Sequence, residues 1–275
     1  MTNGPPGTWG PNSIHQVTAP NVRRLPFDRA WREKEEPPRD TVNGAPPSRD
    51  DGGMVSDVIG PVTPGSAVVH VAGFVALMLV TFTGQWAGSL VTIAHETGHA
   101  LVAVASGRSV MSLVVQEGNA EAGVTRYQGG WGVSLVFISL AGYLTAPVLG
   151  LAGANLVLDG KSWSVLWVAV ILLAASFVHA RGFFTNLLVV GYGGLIGWVA
   201  VAGSPDLQAT VAVLLVWWML FGELRGLAAL GLGGGGGDAT DLSRLTWVPA
   251  FVWVALWWFV AIVCLWVGGR RLLGF

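Results

Sequence analysis

Charge is scarce in this 275-residue chain: 11% of its residues are Asp, Glu, Lys or Arg, against about 25% in ordinary soluble domains. That deficit excludes a water-facing surface of normal chemistry. Cysteine is scarcer still. The single Cys264 rules out an internal disulfide and a cysteine-rich metal site, and its apolar surroundings suit a small buried hydrophobe. Basic excess is missing as well. A formal net charge of −1 gives no electrostatic footing for a nucleic-acid partner.

Apolar residues fill the space that charge leaves. Hydrophobic residues make up 52% of the chain and the mean hydropathy is +0.59. Tryptophan is heavily used, with 14 copies, several near the ends of apolar runs, where an amphipathic ring suits the headgroup level of a bilayer. The charges concentrate in residues 1–64, which are rich in proline and glycine and have almost no aliphatic periodicity. Segments such as Glu35-Glu36-Pro37-Pro38-Arg39-Asp40 cannot bury enough apolar area to offset ordering entropy, so residues 1–64 are expected to form a disordered tail. The tail does not show the order of a cleavable signal, basic residues then an apolar core then a small-residue site. Arg23-Arg24 has no apolar core following it. The expectation is therefore a tail that stays in the cytosol, with residues 65–275 forming the membrane domain.

A bilayer core takes roughly 20 mostly apolar residues per helix. Seven candidates follow the tail: Ala67–Thr83, Trp86–Ala105, Gly132–Ala154, Trp163–Val178, Phe183–Ala202, Leu207–Phe221 and Val248–Val267. The first, fourth and sixth are short, so the fold class expected is an all-α polytopic membrane bundle of six or seven transmembrane helices. Gly142, Gly150 and Gly153 recur on the third candidate and read as a packing face. Between the second and third, Val110–Val115 and Val124–Tyr127 are β-prone runs separated by a Gly118-Asn119 turn signal, which predicts a small membrane-associated β-hairpin. Gly231 to Thr246 reads as an irregular segment, because Gly233 through Gly237 cannot be a stable helix.

One apolar run carries three ionisable residues within five positions, His95-Glu96-Thr97-Gly98-His99. Ionisable groups inside a span are costly and point to function. On a helix, His95 and His99 project from one face a turn apart and can share a zinc ion. Glu96 then stands near the open coordination position, placed to move a proton. Hydrolytic zinc sites take three protein ligands, so a third must come from elsewhere. His15, His70 and His179 are poorly placed. The acidic candidates are Asp159, Asp206, Glu223, Asp238 and Asp241. With a cytosolic N-terminus, a first span running outward and a second returning, His99 falls in the cytosolic half. Asp159 and Asp206 then lie about a bilayer away, while Asp238 and Asp241 return to the cytosolic side. Glu223, just past the sixth candidate, reads as an interfacial charge. Seven spans would leave Arg270-Arg271 outside, against the positive-inside tendency; six spans or a re-entrant segment would remove that conflict.

These residues resemble the site-2 protease family of intramembrane zinc metalloproteases, in its smaller site-2-protease-like branch. The resemblance rests on Ala94-His95-Glu96-Thr97-Gly98-His99-Ala100-Leu101 and the hairpin region after it. It extends to Ala141-Gly142-Tyr143-Leu144 with Pro147, then Gly237-Asp238-Ala239, Leu242 and Thr246-Trp247-Val248-Pro249. It covers most of Trp86 to Trp258 and none of the tail. It implies zinc held by His95, His99 and Asp238, the last in a small-residue-Asp-Ala pattern that selects it over Asp241, with Glu96 as general base and acid. Leu158-Asp159-Gly160 with Asn155 nearby echoes the Leu-Asp-Gly signature of site-2 proteases proper, but has no proline in the interval. The implied activity is hydrolysis of peptide bonds in membrane-embedded protein substrates, with lipid as surroundings. The expected location is integral to the bacterial cytoplasmic membrane. The alternative is a non-catalytic metal-binding scaffold or assembly factor, which would have no use for Glu96.

Overall fold

Without water, a segment in a bilayer can satisfy its N–H and C=O groups only within itself or in a closed barrel, so apolar runs of this length must become helices. The computed structural model describes residues 62–117, 123–129, 132–231 and 237–275. Residues 1–61 of the expected tail fall outside them, as do the Gly118-Asn119 turn signal and residues 232–236 of the glycine-rich segment. Within them the elements are α1 (Ser66–Phe82), α2 (Gln85–Ala105), β1 (Val110–Val115), β2 (Gly123–Tyr127), α3 (Val133–Leu158), α4 (Ser162–His179), α5 (Phe183–Ala202), α6 (Pro205–Leu230), α7 (Asp238–Thr246) and α8 (Ala250–Leu273). The chain is a polytopic helical bundle with a small β-hairpin. Among the described residues, α3, α4, α5, α6 and α8 are long and apolar enough to cross a membrane. The α1 helix is apolar but shorter, at 17 residues. The α2 helix has 21 residues but carries the polar motif.

Large apolar side chains face outward, among them Phe74, Ile171, Leu195, Phe259, Ile262 and Trp266, as lipid-facing helices require. Small residues face inward. A Cβ on Gly150 would come within 2.8 Å of the Leu220 side chain, and one on Gly153 within 2.7 Å of Val216, so α3 and α6 approach as closely as glycine allows. The expected packing face therefore holds at these positions.

Three departures from the sequence reading affect the site. First, α1 and α2 do not form an out-and-back hairpin. Gly73 meets Trp217, and Val80 accepts a bond from Arg225, so α1 runs parallel to α6. Gly150 meets Leu220 and Gly153 meets Val216, so α3 is antiparallel to α6. His95 faces Gly142 and His99 faces Ile138, so α2 is antiparallel to α3 and shares the sense of α1. Gly84, at φ +56, permits the break after Phe82, and the contacts of α2 with α3 set its direction. Trp257 lies on Tyr143, and Arg271 bonds Asn155, so α8 runs with α3. Its Arg270-Arg271 end then lies on the side where α1 starts, close to the contact between Val62 and Ser162. With α1 starting in the cytosol, as expected from the sequence, Arg270-Arg271 would agree with the positive-inside tendency.

Second, α6 continues nine residues past Phe221, through good helix formers such as Glu223, Leu224, Arg225 and Ala228. Glu223 is not interfacial. It is 1% exposed inside the bundle, where its carboxyl lines a cavity instead of facing lipid. Third, Asp238–Thr246 is a regular helix rather than irregular chain. Its Ala239 and Leu242 are buried in a cluster with Val254 and Trp257 of α8, against which Leu140 and Tyr143 of α3 also pack, so α7 is seated against α3 and α8.

The hairpin is antiparallel, with Leu113 opposite Thr125, Val114 opposite Val124 and Val115 opposite Gly123. Its β1 edge is covered: the Arg181 N–H donates to the Leu113 carbonyl at 2.9 Å, and the Val115 N–H donates to Thr185 Oγ1 at 3.0 Å. In an antiparallel ladder, residues whose groups point away from the partner alternate with bonded ones. Gly123 and Thr125, opposite Val115 and Leu113, therefore direct their own N–H and C=O off the outer edge of β2.

Candidate metal centre

His95 and His99 sit one turn apart on α2, and α7 delivers Asp238 to the same point from 139 residues beyond His99. Asp238 Oδ2 lies 3.1 Å from His95 Nε2 and 3.1 Å from His99 Nε2, and the two Nε2 atoms are 3.0 Å apart. His99 Nδ1 donates to the Ile138 carbonyl at 2.7 Å. A carbonyl can only accept, so that bond places the proton on Nδ1 and leaves the Nε2 lone pair directed inward, the usual outer support of a metal-bound histidine. His95 packs edge-on against Tyr143, with centroids 4.4 Å apart.

Two imidazole nitrogens and a carboxylate oxygen at such distances are held together by positive charge between them, which a proton or a metal ion supplies. Zinc bonded to nitrogen and oxygen at about 2.0–2.1 Å in a tetrahedron would set its ligands about 3.3 Å apart, close to the spacing seen. The donor set therefore fits a metal ion, and His95, His99 and Asp238 form a group able to hold one.

Glycine makes the convergence possible. A Cβ on Gly142 would lie 2.5 Å from His95 Nε2 and 2.6 Å from His99 Nε2, in the space the ligand atoms occupy. On the sequence Gly142 reads as part of the packing face, because a glycine about two turns before Gly150 gives the same signal for either role. Gly98 plays a related part, since a Cβ there would collide with Thr145 on α3.

Glu96 is 4% exposed and is not one of the three converging atoms. Thr125 Oγ1 donates to Glu96 Oε2 at 2.6 Å and lies 3.1 Å from the Glu96 carbonyl. Gly123 passes so close that a Cβ would stand 2.6 Å from Glu96 Cγ. Neither β2 residue was singled out from sequence, where both look like ordinary members of a β-prone run.

These groups line one cavity of about 580 Å³. Its walls include the two histidines, Glu96, Asp238, β2, and from α6 Glu223 and Arg225. Asp241 lines it too, 3.9 Å from Arg244. Glu96, Asp238 and Asp241 set three carboxylates against the lining cation Arg225, a balance that favours cation capture. Tyr127 at the rim reports it: burial pushes its hydroxyl above the ordinary value, Asp238 and Asp241 add to that, and Arg108 opposes. Asp159 and Asp206 are elsewhere. Asp159 ends α3 in an exposed pair with Lys161 at 3.3 Å, 17 residues beyond Gly142, or about 25 Å along a helix. Asp206 lies in the first turn of α6, as far before Glu223.

Comparison with known proteins gives one positive finding. A family model described as Peptidase M50B-like matches residues 67–268, well over half of the chain. No curated protein and no solved structure matches.

Proposed function

The chain belongs to the Peptidase M50B-like family of membrane metallopeptidases, and from that premise we propose that it hydrolyses peptide bonds of membrane-embedded protein substrates, with zinc held by His95, His99 and Asp238. The observation that carries this reading is the convergence of two imidazole nitrogens and a carboxylate oxygen within 3.1 Å at a cavity that Glu96 also lines. Zinc bound there would polarise the scissile carbonyl and make water a stronger nucleophile. The chain's own residues do the rest. Glu96 accepts the proton of the attacking water and returns it to the leaving amine. Ile138 and Asp238 hold the imidazoles in place, and α2, α3 and α6 shield the cavity from lipid. The N-terminal tail, on this reading, lies in the cytosol of a bacterial cell.

The direct test is to compare isolated membranes carrying the wild type with membranes carrying Glu96→Gln, by mass spectrometry of new protein termini. Termini that appear with the wild type alone support the reading. Identical termini in both would sink it.

A helical peptide bond is already hydrogen-bonded and shielded, so the substrate must unwind before cleavage. The outer edge of β2 is the surface suited to hold it extended. The β1 strand is not, because both its edges are occupied, and a proline at Val114 would break the hairpin instead of the free edge. Strand pairing alternates with period two. N-methyl groups at alternate residues of a cleaved peptide should therefore weaken binding roughly ten-fold or more, and those between should be tolerated, which KM values would report. Uniform tolerance along the peptide would count against docking on β2.

Gly142→Ala should lower zinc content sharply while leaving the helices intact, because the new methyl takes the place of the Nε2 atoms. Elemental analysis beside circular dichroism checks this, and full zinc with an unchanged spectrum would contradict it.

A further inference from the structure

The reaction just described needs a carboxylate in a fixed place, and α2 alone does not fix it. A glutamate has three side-chain torsions, and Glu96 must keep one orientation at the edge of a cavity. The hairpin supplies the constraint. Thr125 Oγ1 donates to Glu96 Oε2 at 2.6 Å, within the short range of a charge-assisted bond. The absent Cβ of Gly123 leaves room for the Glu96 side chain against β2. The same Thr125 directs its backbone N–H and C=O off the outer edge of β2, by the alternation that the Arg181 bond to Leu113 fixes across the ladder. One residue thus touches the base through its side chain and the docking edge through its main chain.

We propose that Thr125 is a positioning residue for Glu96: its hydroxyl orients the carboxylate for proton transfer and ties that orientation to the strand on which substrate lies. The proposal rests on the peptidase reading, and it goes beyond it by giving β2 a part in the chemical step. One oxygen of Glu96 is engaged by the hydroxyl and the other is left for the proton. Docking on the edge would stiffen β2 and so stiffen the base. Loss of the hydroxyl should lower turnover with little change in substrate binding, because the edge groups belong to the backbone and survive the substitution.

The experiment uses the full-length chain in bilayer nanodiscs and, as probe, a membrane protein that the wild type cleaves and Glu96→Gln does not. Thr125→Val keeps the shape and β-branching of the side chain and removes only the donor. Thr125→Ser keeps the donor and removes a methyl. Expected for Thr125→Val is a fall in kcat of roughly ten- to a hundred-fold, the range for losing one hydrogen bond to a charged group, with KM and zinc content near wild type. Thr125→Ser should recover most of kcat.

Four outcomes overturn the proposal: unchanged kcat in Thr125→Val; a defect confined to KM; loss of zinc, which would mean a structural role; or a Thr125→Ser variant as impaired as Thr125→Val. If no substrate separates the wild type from Glu96→Gln, the peptidase reading itself fails, and the proposal fails with it. An inactive Glu96→Gln beside a fully active Thr125→Val sinks the positioning role alone.

Discussion

Glu96→Gln should give a protein that folds, keeps its full complement of metal and cleaves about 10²–10⁴-fold more slowly than the wild type. Metal should be kept because Glu96 is not among the atoms that converge between His95, His99 and Asp238. Folding should be kept because glutamine has the same shape, fits the same 4% exposed site and can still accept the Thr125 hydrogen bond through its amide oxygen. Only the capacity to take up and return a proton is lost. The size of the loss is that of a general base, since polarisation at the metal and placement of the substrate remain. Cleavage rate and zinc stoichiometry measured on one preparation check both halves. Activity above a tenth of wild type would remove Glu96 from the chemistry. Zinc lost along with activity would mean that the carboxylate had been a ligand.

The fold was legible where one residue's hydropathy decides its surroundings. Phe183–Ala202 was bounded to the residue, and Trp86–Ala105 began one residue late, because glycine or a polar turn interrupts the apolar run at each end. The hairpin was legible from two β-prone runs. The sense of α2 was not. Whether a chain turns back or carries on at Gly84 depends on which surfaces of α3 and α6 it meets, and no local pattern encodes that. The α6 helix was cut short for a related reason: Glu223 and Arg225 look like the end of a span until the bundle is seen to supply a polar cavity for them. In the site, the spacing of His95, Glu96 and His99 was readable because one helix sets it. Thr125, Gly123 and Gly142 act across elements, 29, 27 and 46 residues from Glu96, and nothing in their neighbours' sequence marks them. Asp238 stood between these cases. Choosing it over Asp159 used a topology with α2 running the wrong way, yet the choice depended only on which end of the bundle each aspartate occupies, and those ends are opposite.

Asp238→Asn should cost the site its metal. Loss of supporting outer contacts alone typically weakens metal sites about 10–100-fold, so removing the charged ligand itself should exceed that range. Asparagine keeps the volume and one oxygen, which confines the change to the negative charge beside the two imidazoles. The consequence reaches beyond the metal. Asp238 is the tie between α7 and α2, and a ligand that binds only the folded chain stabilises it by mass action. Chelation should therefore lower the unfolding temperature of the wild type and leave that of Asp238→Asn where it already is. Asp159→Asn is the matched control, because its carboxylate is in an exposed pair with Lys161 at the far end of α3; it should keep zinc and respond to chelator as the wild type does. Full zinc retention in Asp238→Asn, with loss in Asp159→Asn, would overturn the ligand set. Retention in both would mean that His95 and His99 hold the metal with some other partner, for which Asp241, on the same cavity wall one helical turn from Asp238, is the group to substitute next.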